Sequence, residues 1–218
     1  MRYQQGNEII NRLRKRITIN KDSYTALQFS NPFEILVSTI LSQNTNDRNS
    51  SKATRKFVER TKADPFLVIK TDQKELSETI KCSGMHNQKA QTIIRAARWV
   101  VERYNGDLAQ SRKDDPQQVK NELLKIKGIG PKTADVFLLF YLGARVFPVD
   151  VHIKRVSLRL NLARGDYGAV SGKLLDIFKD PLEAHLMLIA LGRKYCRPTA
   201  PKCNICPLRD ICPSANKF

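Results

Sequence analysis

Acidic residues are scarce in this chain. Its 218 residues hold 21 Asp and Glu against 38 Lys and Arg, a formal net charge of +17. Surfaces that are merely well solvated mix both signs, so this imbalance predicts a polyanionic partner, nucleic acid before membrane. Long apolar runs are also missing. None approaches the ~20 residues that span a bilayer, and residues 1–20 alternate basic and polar groups with no signal-peptide core, so the expectation is a soluble, intracellular protein. Alternating β-branched and aromatic residues are almost absent, which argues against sheet. Without repeats, low-complexity segments or a Gly/Ser linker, any domain division must follow packing rather than a floppy joint. Cysteine is sparse, and four of the five crowd near the end. In a reducing compartment that clustering predicts metal rather than a disulfide framework.

What is present is helical spacing, as in Ile9, Leu13 and Ile17, or Phe33, Leu36, Val37, Ile40 and Leu41. The chain reads as all-α and is long enough for one large domain or two small ones. Helix starts are marked by Asn31-Pro32 before 33–42, Asp64-Pro65 before 66–70, Asp115-Pro116 before 117–125 and Asp180-Pro181 before 182–192.

The stretch LLKIKGIGPKTADVF, residues 123–137, lies between two apolar stripes: Val119, Leu123, Leu124 and Ile126 before it, and Ala134, Phe137, Leu138 and Tyr141 in a helix expected over 133–142. Gly128 and Gly130 permit positive φ and close approach, so the hairpin N–H groups can face a phosphate; an ordinary glycine-closed turn is the plainer alternative. Pro131 opens the second helix and puts Lys132 in its first turn, at the positive end of the helix dipole, where a cation costs stability. Such placement among apolar neighbours favours the neutral amine that a nucleophile needs, although a lysine gripping phosphate would also fit. Asp150, in FPVDVHIKRV, reads as a helix N-cap. Cys196, Cys203, Cys206 and Cys212 are spaced C-x6-C-x2-C-x5-C. Only one short pair exists, which is unusual for a structural zinc knuckle, yet spacing alone leaves zinc open. Cys82 reads as a small buried hydrophobe.

The segments IKGIGPKTA and VDVHIKR resemble the helix-hairpin-helix DNA glycosylases, and specifically their endonuclease III branch. LSQNTND at 41–47, SGMHNQKA at 83–90 and the terminal cysteines follow in family order, so the resemblance covers nearly the whole chain. It implies two helical domains with an active cleft between them: a helical barrel over residues 25–144, and a second domain joining 1–24 to 145–218 around a [4Fe-4S] cluster held by the four cysteines. It implies that Lys132 attacks C1′ of a flipped nucleotide, with Asp150 on the opposite wall stabilising positive charge. Lysine at 132, rather than tyrosine or serine, implies the bifunctional glycosylase and abasic-site lyase, acting on oxidised or ring-saturated pyrimidines and abasic sites in double-stranded DNA; a monomer is the default expectation, since no extra apolar surface element is evident. Gln43 or Asn44 would fill the gap left by the flipped base, Met85 would wedge the stack, and Arg197 and Lys202 would meet phosphates. Arg193, Lys194, Arg197, Lys202 and Arg209 surround the cluster ligands in sequence and would balance their charge. His152 belongs to the same motif, as a shaper of the site or a structural residue. A sister enzyme for uracil, mismatched thymine or 8-oxoguanine, and a non-catalytic metal-stapled DNA-binding module, are the competing readings.

Overall fold

The structure, a computed structural model, describes residues 3–20, 22, 24–215 and 217. It is all-α, and no strand forms among the described residues. In chain order the α-helices are α1 (Gln4–Arg14), α2 (Pro32–Leu41), α3 (Asp47–Thr61), α4 (Pro65–Lys70), α5 (Gln73–Thr79), α6 (His86–Tyr104), α7 (Pro116–Lys125), α8 (Pro131–Phe137), α9 (Val151–Arg159), α10 (Tyr167–Ile177) and α11 (Pro181–Lys194). They form two compact units, one of Asn20–Ala144 and one that joins Met1–Ile19 to Arg145–Phe218.

The four Asx-Pro starts work by side-chain capping. Asn31 accepts from Phe33 N–H at 2.8 Å, Asp64 from Phe66 N–H at 2.8 Å, Asp115 from Gln118 N–H at 3.2 Å and Asp180 from Glu183 N–H at 3.0 Å. Each satisfies an N–H that the helix itself leaves unpaired, worth about 1 kcal/mol against alanine.

In the unit of Asn20–Ala144, α2 is apolar all round and accordingly buried, packing against α3, α6 and α8. Phe33 meets Phe57 of α3 edge-on, and burying a ring of that size contributes roughly 2–3 kcal/mol. The longest helix, α6, turns Ala90, Ile93, Ala96, Ala97 and Val100 inward and packs on α4 and α5. Two details differ from the sequence reading. Leu124 points outward at 39% exposure while Val119, Leu123 and Ile126 are buried. The helix expected over 133–142 is regular only to Phe137, after which Leu138–Leu142 winds as a π-turn that keeps Leu138 and Tyr141 in the core.

In the other unit, α11 packs on α1 and α9. Gly192 is what lets α11 approach α9 so closely, because a Cβ there would lie 2.8 Å from Cβ of His152. Arg145 caps the end of α10, donating to the carbonyls of Leu175 at 2.7 Å and Lys179 at 2.8 Å, where a cation suits the negative end of a helix.

Candidate active site and cysteine recess

The hairpin between α7 and α8 is closed by Ile129 N–H donating to Ile126 O at 2.9 Å. Gly128 sits at φ +105, and a Cβ on it would lie 2.1 Å from Thr92 Oγ1, so its close approach is to α6 of the same chain. Gly130 departs from expectation: its backbone is extended, φ −99 and ψ 176, and an added Cβ would meet nothing within 4 Å. Side chains from elsewhere fix the hairpin's shape. Arg95 donates to Lys127 O at 3.2 Å, and the Gln43 amide donates to Gly128 O and to Thr133 Oγ1, each at 3.0 Å.

Helix α8 starts with no side-chain cap and no acidic residue in its first turn. Lys132 is half-buried there and makes no hydrogen bond or ion pair among the described residues of its unit. The carboxylate one turn further on, Asp135, is buried and committed to Lys120 at 2.6 Å. Nothing in the unit's polar network therefore accounts for Lys132.

The two loops that resemble gap-fillers come together. Asn44 and Met85 both adopt left-handed backbone, φ 51 and φ 47, and the Asn44 amide lies 3.5 Å from Met85 Sδ. Both are exposed, Met85 at 51%. Gln43 differs, since its amide is turned onto the hairpin. The two amides that sequence left as alternatives thus have different jobs in this fold.

Asp150 is the N-cap of α9, its Oδ1 accepting from Ile153 N–H at 2.8 Å. His152 follows on the same turn, with Nδ1 3.1 Å from an Arg155 guanidinium nitrogen. Burial pulls the His152 pKa down, Asp150 opposes that shift, and Arg155 reinforces it. His185 is a core residue that donates from Nδ1 to Pro148 O at 3.0 Å.

Cys196, Cys203, Cys206 and Cys212 line one recess of about 430 Å³, part of it open to solvent, floored by Val156, Leu160, Leu191 and Leu208. Burial pushes the Cys206 and Cys212 thiols up, and the neighbouring sulfurs add to that, a sign that the four share one site. No three or more His, Cys, Asp or Glu side chains among the described residues are grouped to hold a metal ion. The basic residues placed near the ligands by sequence, Arg193, Lys194, Arg197, Lys202 and Arg209, are all exposed. Arg159 of α9, which sequence did not single out, reaches a ligand sulfur. Its guanidinium lies 3.5 Å from Cys196 Sγ and donates to Arg197 O at 2.6 Å and Pro198 O at 3.0 Å, holding the loop that displays Arg197 and Lys202. Cys82 is half-buried rather than buried, its thiol 3.9 Å from Asn49 O.

The profile of the HhH-GPD superfamily base excision DNA repair proteins matches residues 37–179. Endonuclease III of Haemophilus influenzae is 34% identical over 208 residues, 94% of this chain and 93% of that protein. A non-covalent endonuclease III–DNA complex superposes with a TM-score of 0.83 at 27% identity, over 100% of this chain and 98% of that one. A trapped endonuclease III–DNA covalent intermediate, an estranged-adenine complex, gives 0.83 at 28% identity over the same shares. The chain belongs to the endonuclease III branch of the HhH-GPD superfamily of base excision DNA repair proteins.

Proposed function

We propose that this protein is a bifunctional DNA glycosylase and abasic-site lyase of base excision repair, acting as a monomer on oxidised or ring-saturated pyrimidines and abasic sites in double-stranded DNA. The observation that carries this reading is Lys132: half-buried, unpartnered in its unit, at an uncapped helix start behind a glycine hairpin, in a family where a relative has been trapped covalently on DNA. In its neutral form Nζ attacks C1′ as the bond to the base breaks, and the base departs with a proton. The nitrogen then holds the opened sugar as an iminium. Loss of a C2′ proton breaks the C3′–O3′ bond, releasing the 3′ phosphate, and water returns the amine. Asp150, aimed by its capping bond, supports the positive charge and relays protons. Asn44 fills the gap in the duplex and Met85 wedges the stack, whereas Gln43 shapes the hairpin. Phosphates meet the hairpin at Gly128 and Gly130 and the exposed Arg197 and Lys202.

The cysteine recess suits a [4Fe-4S] cluster: four thiols line one cavity with an apolar floor, in the family spacing C-x6-C-x2-C-x5-C. Cys196, Cys203, Cys206 and Cys212 would be the ligands, with Arg159 offsetting their negative charge. When bound, the cluster supplies a covalent staple across its loop and no step of the base chemistry. Purified protein should be brown with broad visible absorbance, and a colourless, zinc-bearing preparation would overturn the assignment. No described helix is long and apolar enough to cross a membrane.

Borohydride reduction in the presence of abasic duplex tests the enzyme reading directly. Wild type should become covalently attached to DNA and Lys132→Ala should not. Absence of a wild-type adduct would leave a DNA-binding module instead.

A further inference from the structure

Lys89 is a lysine on a face that is otherwise mostly apolar and packed. It lies on the buried face of α6, 3% exposed, one turn before Ile93. Among the described residues it pairs with no carboxylate. Its ammonium donates to two backbone carbonyls, Leu41 O at 2.9 Å and Ser83 O at 2.7 Å. Burial alone lowers its pKa to about 8, a measure of how poorly the site suits a charge. An apolar side chain of similar volume would avoid burying the charge but would leave both carbonyls without a donor.

The two carbonyls mark what the charge is for. Leu41 is the last residue of α2 and stands three positions before Asn44, while Ser83 stands two before Met85. One ammonium therefore fastens the roots of both loops, whose tips touch and whose left-handed backbones carry strain. The same helix continues the arrangement, since Arg95 holds Lys127 O of the hairpin. We propose that Lys89 is a positioning residue for base extrusion, locking the Asn44 and Met85 loops in one register so that the two tips enter the duplex as a single wedge. This rests on the DNA-glycosylase reading above and adds to it a residue that touches no DNA.

The test separates opening the duplex from chemistry on the sugar. Lys89→Met and Lys89→Arg are compared with wild type on two probes. The first is a single ring-saturated pyrimidine in a full duplex, followed by single-turnover kinetics and by 2-aminopurine fluorescence beside the lesion. The second is an abasic site in a single-stranded oligonucleotide, trapped with borohydride, where nothing has to be displaced. Lys89→Met should slow the duplex reaction on the order of 10- to 100-fold, the weight of a charge-assisted hydrogen bond, and blunt the fluorescence rise, with trapping on the single strand near wild type. Lys89→Arg should recover much of the loss. Equal losses on both probes, or none on either, would overturn the proposal. A wild type that fails to trap the single strand would instead sink the glycosylase reading. If Lys89→Met does not fold, the exposed double variant Asn44→Ala with Met85→Ala must show the same split between probes; if it does not, the wedge is wrong.

Discussion

Helices α8 and α9 begin in opposite ways. At the start of α9 a carboxylate accepts the N–H of Ile153, an anion sits at the positive end of the dipole, and Asp150 is fully explained by stability before any chemistry is considered. At the start of α8 the cap position is a glycine, no acid occupies the first turn, and a half-buried lysine stands where the dipole opposes it. Neither capping nor pairing within its unit explains Lys132, and on the proposed function its place at the helix start serves reactivity at some expense of helix stability. Two residues carried forward by the same resemblance thus rest on unequal physical grounds.

Substitutions at the two starts should move stability in opposite directions. The largest effect is expected for Lys132→Ala: lyase activity and the borohydride adduct vanish, while removal of a cation from the helix start leaves stability unchanged or raises it by up to about 1 kcal/mol. A loss beyond that in chemical denaturation would reveal a structural lysine and erase the contrast. Next comes Asp150→Asn. Asparagine caps as well as aspartate, so stability should stay within a few tenths of a kcal/mol while turnover falls roughly 10²- to 10⁴-fold. Asp150→Ala should show the same kinetic loss and an added cost of about 1 kcal/mol. Should Asp150→Asn retain full turnover, Asp150 would be a cap alone.

Local signals were legible in the sequence and long-range ones were not. The Asx-Pro starts are written in adjacent residues, and each caps as its chemistry dictates. The uncapped start before Lys132 and the capping role of Asp150 were legible because each lies within a single helix turn, whereas their catalytic roles came only from the family resemblance. Arg159 was missed because its partners, Cys196 and the carbonyls that follow, lie almost 40 residues downstream, and nothing in its own stretch separates it from a surface arginine. The pairing of Asn44 with Met85 joins loops 41 residues apart. Gln43 could not be told from Asn44 without knowing which amide the hairpin would claim. Lys89 did leave a trace: it falls on the apolar stripe that continues through Ala90, Ile93 and Ala97, and a lysine on a buried stripe is a signal the pattern could have yielded.

The smallest predicted effect also belongs to the α9 start and turns on His152. Burial disfavours the charged ring, the Arg155 guanidinium beside it adds to that, and a cation in a first turn opposes the dipole, so the fold works against protonation of His152. Its folded pKa is therefore depressed below the ordinary value of 6.5 that the unfolded chain keeps. Between those two values the unfolded chain binds a proton that the native state does not, so stability is complete above about pH 6.5 and declines as pH falls toward the folded pKa. His152→Gln should flatten that part of the stability profile while leaving the Lys132 adduct intact. No comparable acid sensitivity should arise at the start of α8, which holds no histidine, and a slope there that survives His152→Gln would place the titrating group elsewhere.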